Sequence, residues 1–199
     1  DTFKAYPNGQ KILRPYQRRV VESFSDALTQ VGIGQVIMAT GLGKTVVMAE
    51  TVASLINSLD IKNILVLAHT TPLVNQLHQS FWSQISKWVP TQQMSEGEKP
   101  NSFEGITFAL IQSIVNKLET LPQFDLILVD EAHHIGSRSY LKTLARLSPS
   151  MLGGVTATPW RGDGYDLDEV LGEPVAQIGI AEGLRNGFLA EVDYRLLAD

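Results

Sequence analysis

Apolar residues along this chain follow two rhythms that take turns. From 15 to 28, Tyr16, Val20, Phe24 and Leu28 recur every four residues behind Pro15, which predicts a helix with proline in its first turn. Residues 35 to 39 are instead a short apolar run, the signature of a buried strand. The helical spacing returns in Met48, Val52, Leu55 and Ile56, and a second short run spans 63 to 68. A long helix is predicted over 72–88 from Leu73, Leu77, Phe81 and Ile85. Residues 90–105 are polar with Pro, Gly and Asn and predict a loop holding one edge strand near 92–94. Strands follow over 106–111 and 124–129, then a helix over 138–147 and a strand over 152–157. In that last strand Gly153 and Gly154 predict close approach of a neighbouring backbone. Residues 162–174 are acidic and irregular, with short elements after them. Short apolar strands alternating with amphipathic helices predict an α/β fold, a doubly wound, mostly parallel central sheet with helices on both faces.

The junctions between rhythms carry the chemistry. Between the run at 35–39 and the next helix lies Met38-Ala39-Thr40-Gly41-Leu42-Gly43-Lys44-Thr45. Two glycines let backbone N–H groups turn inward around phosphate oxygens, and the helix start adds its positive dipole end. Lys44 supplies a point charge for β- and γ-phosphates, and the Thr45 hydroxyl a ligand for Mg²⁺. The common phosphate-loop pattern opens with Gly five residues before Gly43; Met38 stands there instead. A second junction ends the run at 124–129 in Asp130-Glu131-Ala132-His133-His134. Carboxylates at the carboxyl end of a buried strand sit where open α/β sheets bind ligands. Asp130 suits Mg²⁺, a hard cation preferring oxygen, and Glu131 can orient and deprotonate an attacking water. The competing reading makes this pair a mere cap on the next helix.

Five motifs in order resemble the first RecA-like domain of superfamily 2 helicases of the DEAH type, the likeness leaning toward excision-repair DNA helicases and type I restriction motor subunits. The resemblance covers nearly the whole chain. Leu13-Arg14-Pro15-Tyr16-Gln17 is similar to the adenine-recognition element, which implies that Gln17 reads the adenine edge and Arg14 lies against its face. Thr40 to Thr45 resembles the phosphate motif, giving Thr40, Gly41, Leu42, Gly43, Lys44 and Thr45 as nucleotide contacts. Leu67 to Gln76 resembles the motif that touches the nucleic-acid backbone, with Thr70 and Gln76 as contacts; Thr71 and Pro72 depart from the Arg and Glu often found there. Ala109 to Ser113 resembles the later strand-tracking element, with Gln112 and Ser113. Val155 to Arg161 resembles the coupling motif, where Thr156 and Thr158 relay nucleotide state and His133 links toward it. ATP and Mg²⁺ are thus the implied cofactors, and nucleic acid, DNA over RNA, the implied partner.

The resemblance also implies a catalytic unit of two RecA-like domains. The expected organisation is one ATP-binding domain over 1–190, with 191–199 beginning a connection to a second domain that supplies arginine fingers. The chain, lacking an initiator Met, is expected to be a piece of a longer protein, monomeric and nearly inactive by itself.

Composition adjusts this picture in three places. At 199 residues and 44% hydrophobic content the chain can bury a substantial core. The absence of Cys removes disulfides and zinc–thiolate sites and agrees with the cytoplasm. No apolar run approaches the roughly 20 residues of a membrane span, so no membrane partner is expected. The net charge of −5 argues against a charge-driven nucleic-acid binder, so DNA binding is expected to be weak and to use hydroxyls, amides and helix N-termini.

Several residues attract weaker readings. His133 and His134 adjoin two carboxylates, but adjacent side chains diverge and the chain has only four His, so a transition-metal site is not expected. His69 and His78 read as structural or surface residues, and Trp82 and Trp88 as packing. Trp160 stacks on a base or on a missing domain, and Arg161 pairs with Asp163 or phosphate. Two other classes stay open: a non-hydrolytic interaction module, and a P-loop phosphotransferase acting on a small molecule. Within the motor class, a restriction or defence nuclease motor that translocates without unwinding remains open as well.

Overall fold

The structure is a computed structural model that describes residues 10–95, 100–158 and 165–189. Among these residues seven strands form one sheet in the order β3-β4-β2-β5-β6-β1-β7. They are β1 (Ile33–Met38), β2 (Asn63–Ala68), β3 (Thr91–Met94), β4 (Gly105–Leu110), β5 (Leu126–Asp130), β6 (Met151–Thr156) and β7 (Pro174–Ile178). Every pairing is parallel. The helices are α1 (Pro15–Gln30), α2 (Lys44–Ser58), α3 (Thr71–Phe81), α4 (Ile111–Val115), α5 (Arg138–Leu147), α6 (Asp168–Leu171) and α7 (Ile180–Arg185). Among the described residues no helix is long and apolar enough to cross a membrane.

Strand periodicity builds two cores. Ile64, Val66, Leu126, Leu128, Ile106 and Phe108 point to one face, where they pack with α1, α2 and α3. The alternate residues Leu65, Leu67, Ile127, Val129 and Ala109 point to the other, against α4, α5 and α6. Both faces of the central strands are thus dry, which is why those strands read as unbroken apolar runs.

Four features differ from the sequence expectation. The third helix ends at Phe81, not Trp88. Ser83 turns its hydroxyl onto the Ser80 carbonyl at 2.9 Å, and Gln84 is pulled inside, its Nε2 2.6 Å from Glu50 Oε2. The Ser83 bond is local and competes with the helical ladder, while the Gln84 bond reaches a residue 34 positions away. Trp88 is consequently 78% exposed, with the Lys87 ammonium over its ring, and does not pack. Strand β7 joins the sheet beside β1 although its half-exposed alternation carried no strong strand signal. Finally, Gly153 and Gly154 make room for side chains, not backbone. A Cβ on Gly153 would lie 2.7 Å from Phe24 of α1, and one on Gly154 2.7 Å from Ala132 Cβ on the opposite face. The residues Pro159 to Gly164, including Trp160, Arg161 and Asp163, and the connection expected over 191–199 lie outside the described residues.

Candidate nucleotide site

Strand order does the assembling. With β5, β6 and β1 adjacent, the turn after β1, the carboxylates after β5 and the threonine ending β6 meet at one carboxyl edge. Register places Asp130 beside Val155 and Thr156 beside Ile37. The edge divides into two halves. Lys44, Asp130, Glu131 and Thr156 come from β1, β5 and β6, whereas Thr70 and Gln112 follow β2 and β4.

The turn after β1 is held from three directions. Leu42 is fully buried and anchors the loop in the core. Its carbonyl accepts hydrogen bonds from Tyr16 Oη at 2.8 Å and Gln17 Nε2 at 3.0 Å, both on α1. Gly43 has φ 87° and caps α2, and a Cβ there would run into the Gln17 amide. Glycine is needed for both reasons, the left-handed backbone and the close approach. Thr40, Gly41, Gly43, Lys44 and Thr45 then line a cleft of about 330 Å³ shared with Asp130 and Glu131.

Within that cleft Lys44 Nζ stands 3.7 Å from Glu131 Oε1. Glu131 has φ 49° and ψ 56°, a left-handed conformation unusual for a side chain and costly by about 1–3 kcal/mol. That backbone turns it out of the strand pleat. Its Oε2 lies 3.4 Å from Thr156 Oγ1 and 3.4 Å from His133 Nδ1, and His133 Nδ1 is 2.9 Å from the same hydroxyl. Thr156 Oγ1 also donates to the Thr158 carbonyl at 3.0 Å and accepts from the Thr158 N–H at 3.2 Å. One hydroxyl proton serves several acceptors, so this junction can hold more than one arrangement. Asp130 is 7% exposed, and burial, reinforced by the neighbouring Glu131 charge, pushes its carboxyl up to about 6. Burial and the Asp130 charge likewise raise the Tyr140 phenol.

A second cavity of about 380 Å³ adjoins the turn and is lined by Lys11, Ile12, Arg14, Tyr16, Gln17, Gly41, Gly43 and Val46. Arg14 and Gln17 are therefore together, but engaged. Gln17 Oε1 accepts from the Arg14 N–H at 2.9 Å and its Nε2 reaches Leu42, leaving one N–H and one lone pair. The Arg14 guanidinium donates to the Phe188 carbonyl at 2.9 Å. Ile12, 88% exposed on this wall, offers an apolar face that lies just ahead of the Leu13–Gln17 element and outside any motif.

The residues expected to touch nucleic acid separate. Thr70 is exposed at the start of α3, its hydroxyl not used to cap the helix. Gln112 is exposed, while Ser113 is 7% exposed and offers little side chain. Gln76 is on the wall of the phosphate cleft, one turn of α3 from Leu73. His78, expected to be structural, contacts Thr91 Oγ1 at 3.1 Å and Phe108, and burial lowers its pKa.

Comparison with known proteins decides the family. Residues 10–161, well over half of the chain, match the family of the type III restriction enzyme res subunit. The chain belongs to that family. It is 31% identical over 204 residues to the type I restriction enzyme EcoAI endonuclease subunit of Escherichia coli, covering 93% of this chain and 24% of that protein. It is 29% identical over 190 residues to the DNA 3'-5' translocase XPB2 of Sulfurisphaera tokodaii, covering 93% of this chain and 40% of that protein. Its fold matches a nuclease-deletion mutant of the Type ISP restriction-modification enzyme LlaGI, solved with a DNA substrate mimic. The TM-score is 0.71 at 20% identity, over 89% of this chain and 21% of that one. The chain is thus a RecA-like domain of the superfamily 2 helicase kind, and spans well under half the length of these curated relatives.

Proposed function

We propose that this chain is the ATP-binding domain of a DEAH-type DNA helicase or translocase that hydrolyses ATP to ADP and phosphate. The observation that carries the reading is the single cleft in which Lys44, 3.7 Å from Glu131, shares walls with Thr45 and Asp130. Phosphates rest on the N–H groups of Thr40 to Thr45, and the Lys44 ammonium draws the β- and γ-phosphates. Thr45 and Asp130 would hold Mg²⁺. The fit rests on the chemistry of the donor set, a hydroxyl and a buried carboxylate that share one cleft and offer only oxygen. When bound, the ion neutralises phosphate charge. Glu131 takes the proton of the attacking water, and Thr156 and His133, each 3.4 Å from its Oε2, bias which way its carboxylate faces. Gln76, from its place on the cleft wall, contacts the terminal phosphate or that water through its amide. Adenine enters the neighbouring cavity between Ile12 and the turn, where the remaining Gln17 N–H and lone pair meet its edge and Arg14 its face.

Nucleic acid lies over the β2 and β4 half, on Thr70, Gln112 and backbone amides, with Ser113 contributing through its main chain. A net charge of −5 makes this grip weak in the isolated domain. Relatives named as a DNA translocase and a restriction endonuclease subunit favour DNA. A second RecA-like domain in the intact protein, working in the cytoplasm, supplies the missing arginine. Without it turnover falls by about 10³–10⁵-fold, so the domain alone binds ATP·Mg²⁺ weakly and is nearly inactive. The test is ATP turnover of the intact protein with and without duplex DNA. Stimulation that vanishes in Lys44→Ala supports the reading; unchanged phenotype in Glu131→Gln supports a non-hydrolytic module instead. The likeness to a restriction subunit favours translocation without unwinding as the second reading, and strand-displacement against triplex-displacement assays separate the two.

A further inference from the structure

Three imidazoles stand in a row across the boundary between the two halves of the carboxyl edge. His69, the residue between β2 and Thr70, has its ring centroid 4.1 Å from that of His134, the planes tilted by 45°. His134 in turn lies 4.2 Å from His133, tilted by 42°. His133 closes the row with its 2.9 Å contact to Thr156 Oγ1 and 3.4 Å approach to Glu131 Oε2. Rings that meet at tilts of this kind touch through their bodies and do not aim nitrogens at one point. Among the described residues no set of three His, Asp or Glu converges on a metal position.

His69 Nδ1 is buried and finds no hydrogen-bond partner among the described residues. That nitrogen holds the ring to nothing, and the ring lies against His134. All three rings are half-buried, so a shift of one is passed on through the ring contacts themselves.

We infer that His69 and His134 are positioning residues that tie the Thr70 turn to Glu131 through His133. Seating of a DNA backbone on Thr70 fixes His69, His69 holds His134, and His134 holds His133 against Thr156 and Glu131. The row makes the water-activating carboxylate sensitive to whether the β2 half is occupied. This inference rests on the function proposed above and names a route by which DNA regulates that same site. Neither His69 nor His134 lines the phosphate cleft. The same row also explains why two histidines follow Glu131-Ala132. The first reaches the coupling threonine, and the second reaches across to β2.

The test is ATP turnover of the intact protein, with and without saturating duplex DNA, in His69→Ala, His69→Phe and His134→Ala. DNA affinity is measured in parallel without nucleotide. Expected for His69→Ala and His134→Ala is a loss of about 5- to 20-fold in DNA-stimulated turnover, the size of a typical coupling between sites. Unstimulated turnover and DNA affinity stay within about twofold of the parent. His69→Phe keeps a ring against His134 and recovers most of the stimulation. Full stimulation in His69→Ala overturns the inference, as does an equal fall in stimulated and unstimulated rates, or a His69→Phe variant no better than His69→Ala. A parent protein whose turnover ignores DNA removes the proposed function and this inference together, whereas a stimulated parent with an indifferent His69→Ala removes the inference alone.

Discussion

Asp125 and Asp130 stand at opposite ends of the same short run, and the fold treats them in opposite ways. Asp125, at the amino edge of the sheet, accepts hydrogen bonds on Oδ2 from the backbone N–H groups of Lys62 at 2.8 Å and Asn63 at 3.0 Å. It staples the start of β2 to β5. Asp130, at the carboxyl edge, is buried, crowded by Glu131, and carries a carboxyl pushed up to about 6. One carboxylate is satisfied by two backbone N–H groups, whereas burial and the adjacent Glu131 charge outweigh the backbone bond and the Lys44 charge that favour the other. Sheet polarity explains the difference. At the amino ends strands begin from loops with free N–H groups that suit a carboxylate, while the carboxyl ends of an open sheet gather ligand-binding side chains.

The comparison can be broken most forcefully at the residue after Asp130. Glu131→Gln should lower ATP turnover of the intact protein by about 10²–10⁴-fold, the usual loss of a general base, with the melting temperature little changed. Steady-state phosphate release checks it; a variant that keeps its rate would reduce Glu131 to a structural partner of Lys44.

Stability should move in opposite directions at the two aspartates. The native Asp130 keeps its proton up to about pH 6, whereas an unfolded Asp releases it near 4. Between those values the native state binds more protons than the unfolded state, so stability falls as pH rises through the window and stays lower above it. Asp130→Asn removes this and should raise neutral-pH stability of the metal-free protein by up to about 3 kcal/mol, flattening the profile between pH 4 and 6. Asp125→Ala should instead cost about 1–3 kcal/mol by leaving two backbone N–H groups without their charged acceptor, and it should leave catalytic turnover per folded molecule unaltered. Urea unfolding across pH measures both, and two shifts of the same sign would erase the contrast.

A smaller effect sharpens the boundary between the two halves of the carboxyl edge. Gln76→Ala should lower turnover about tenfold, the loss of about one hydrogen bond to a charged group, while DNA affinity stays put. Weaker DNA binding with an unchanged rate would return Gln76 to the nucleic-acid face suggested by the resemblance.

Much of this architecture is legible in the sequence. The runs at 63–68 and 124–129 and the helix over 138–147 were plain because burial on both faces leaves no polar residue inside a strand, and amphipathic spacing marks a helix. What no local pattern shows depends on contacts remote in sequence. Strand β7 has half-exposed alternation and owes its place to pairing with β1. The early end of α3 follows from Gln84 bonding to Glu50 and to Lys11, 73 residues away. Gly153 and Gly154 announced a close approach, but only the packed Phe24 and Leu171 show that side chains make it. In the site, Lys44, Thr45, Asp130 and Glu131 were named from two motifs, and the sheet brings all four to one cleft. The placing of Gln76 there, and the touching of His69 and His134, needed the adjacency of β2 and β5, which no local pattern encodes.

A determined structure of the protein with Mg²⁺ and a non-hydrolysable ATP analogue tests the central claim most directly. The account predicts the terminal phosphates on Lys44 Nζ and the N–H groups of the Thr40–Thr45 turn, with the metal between the Thr45 hydroxyl and Asp130. A nucleotide bound elsewhere, or a metal that Asp130 does not face, would contradict it.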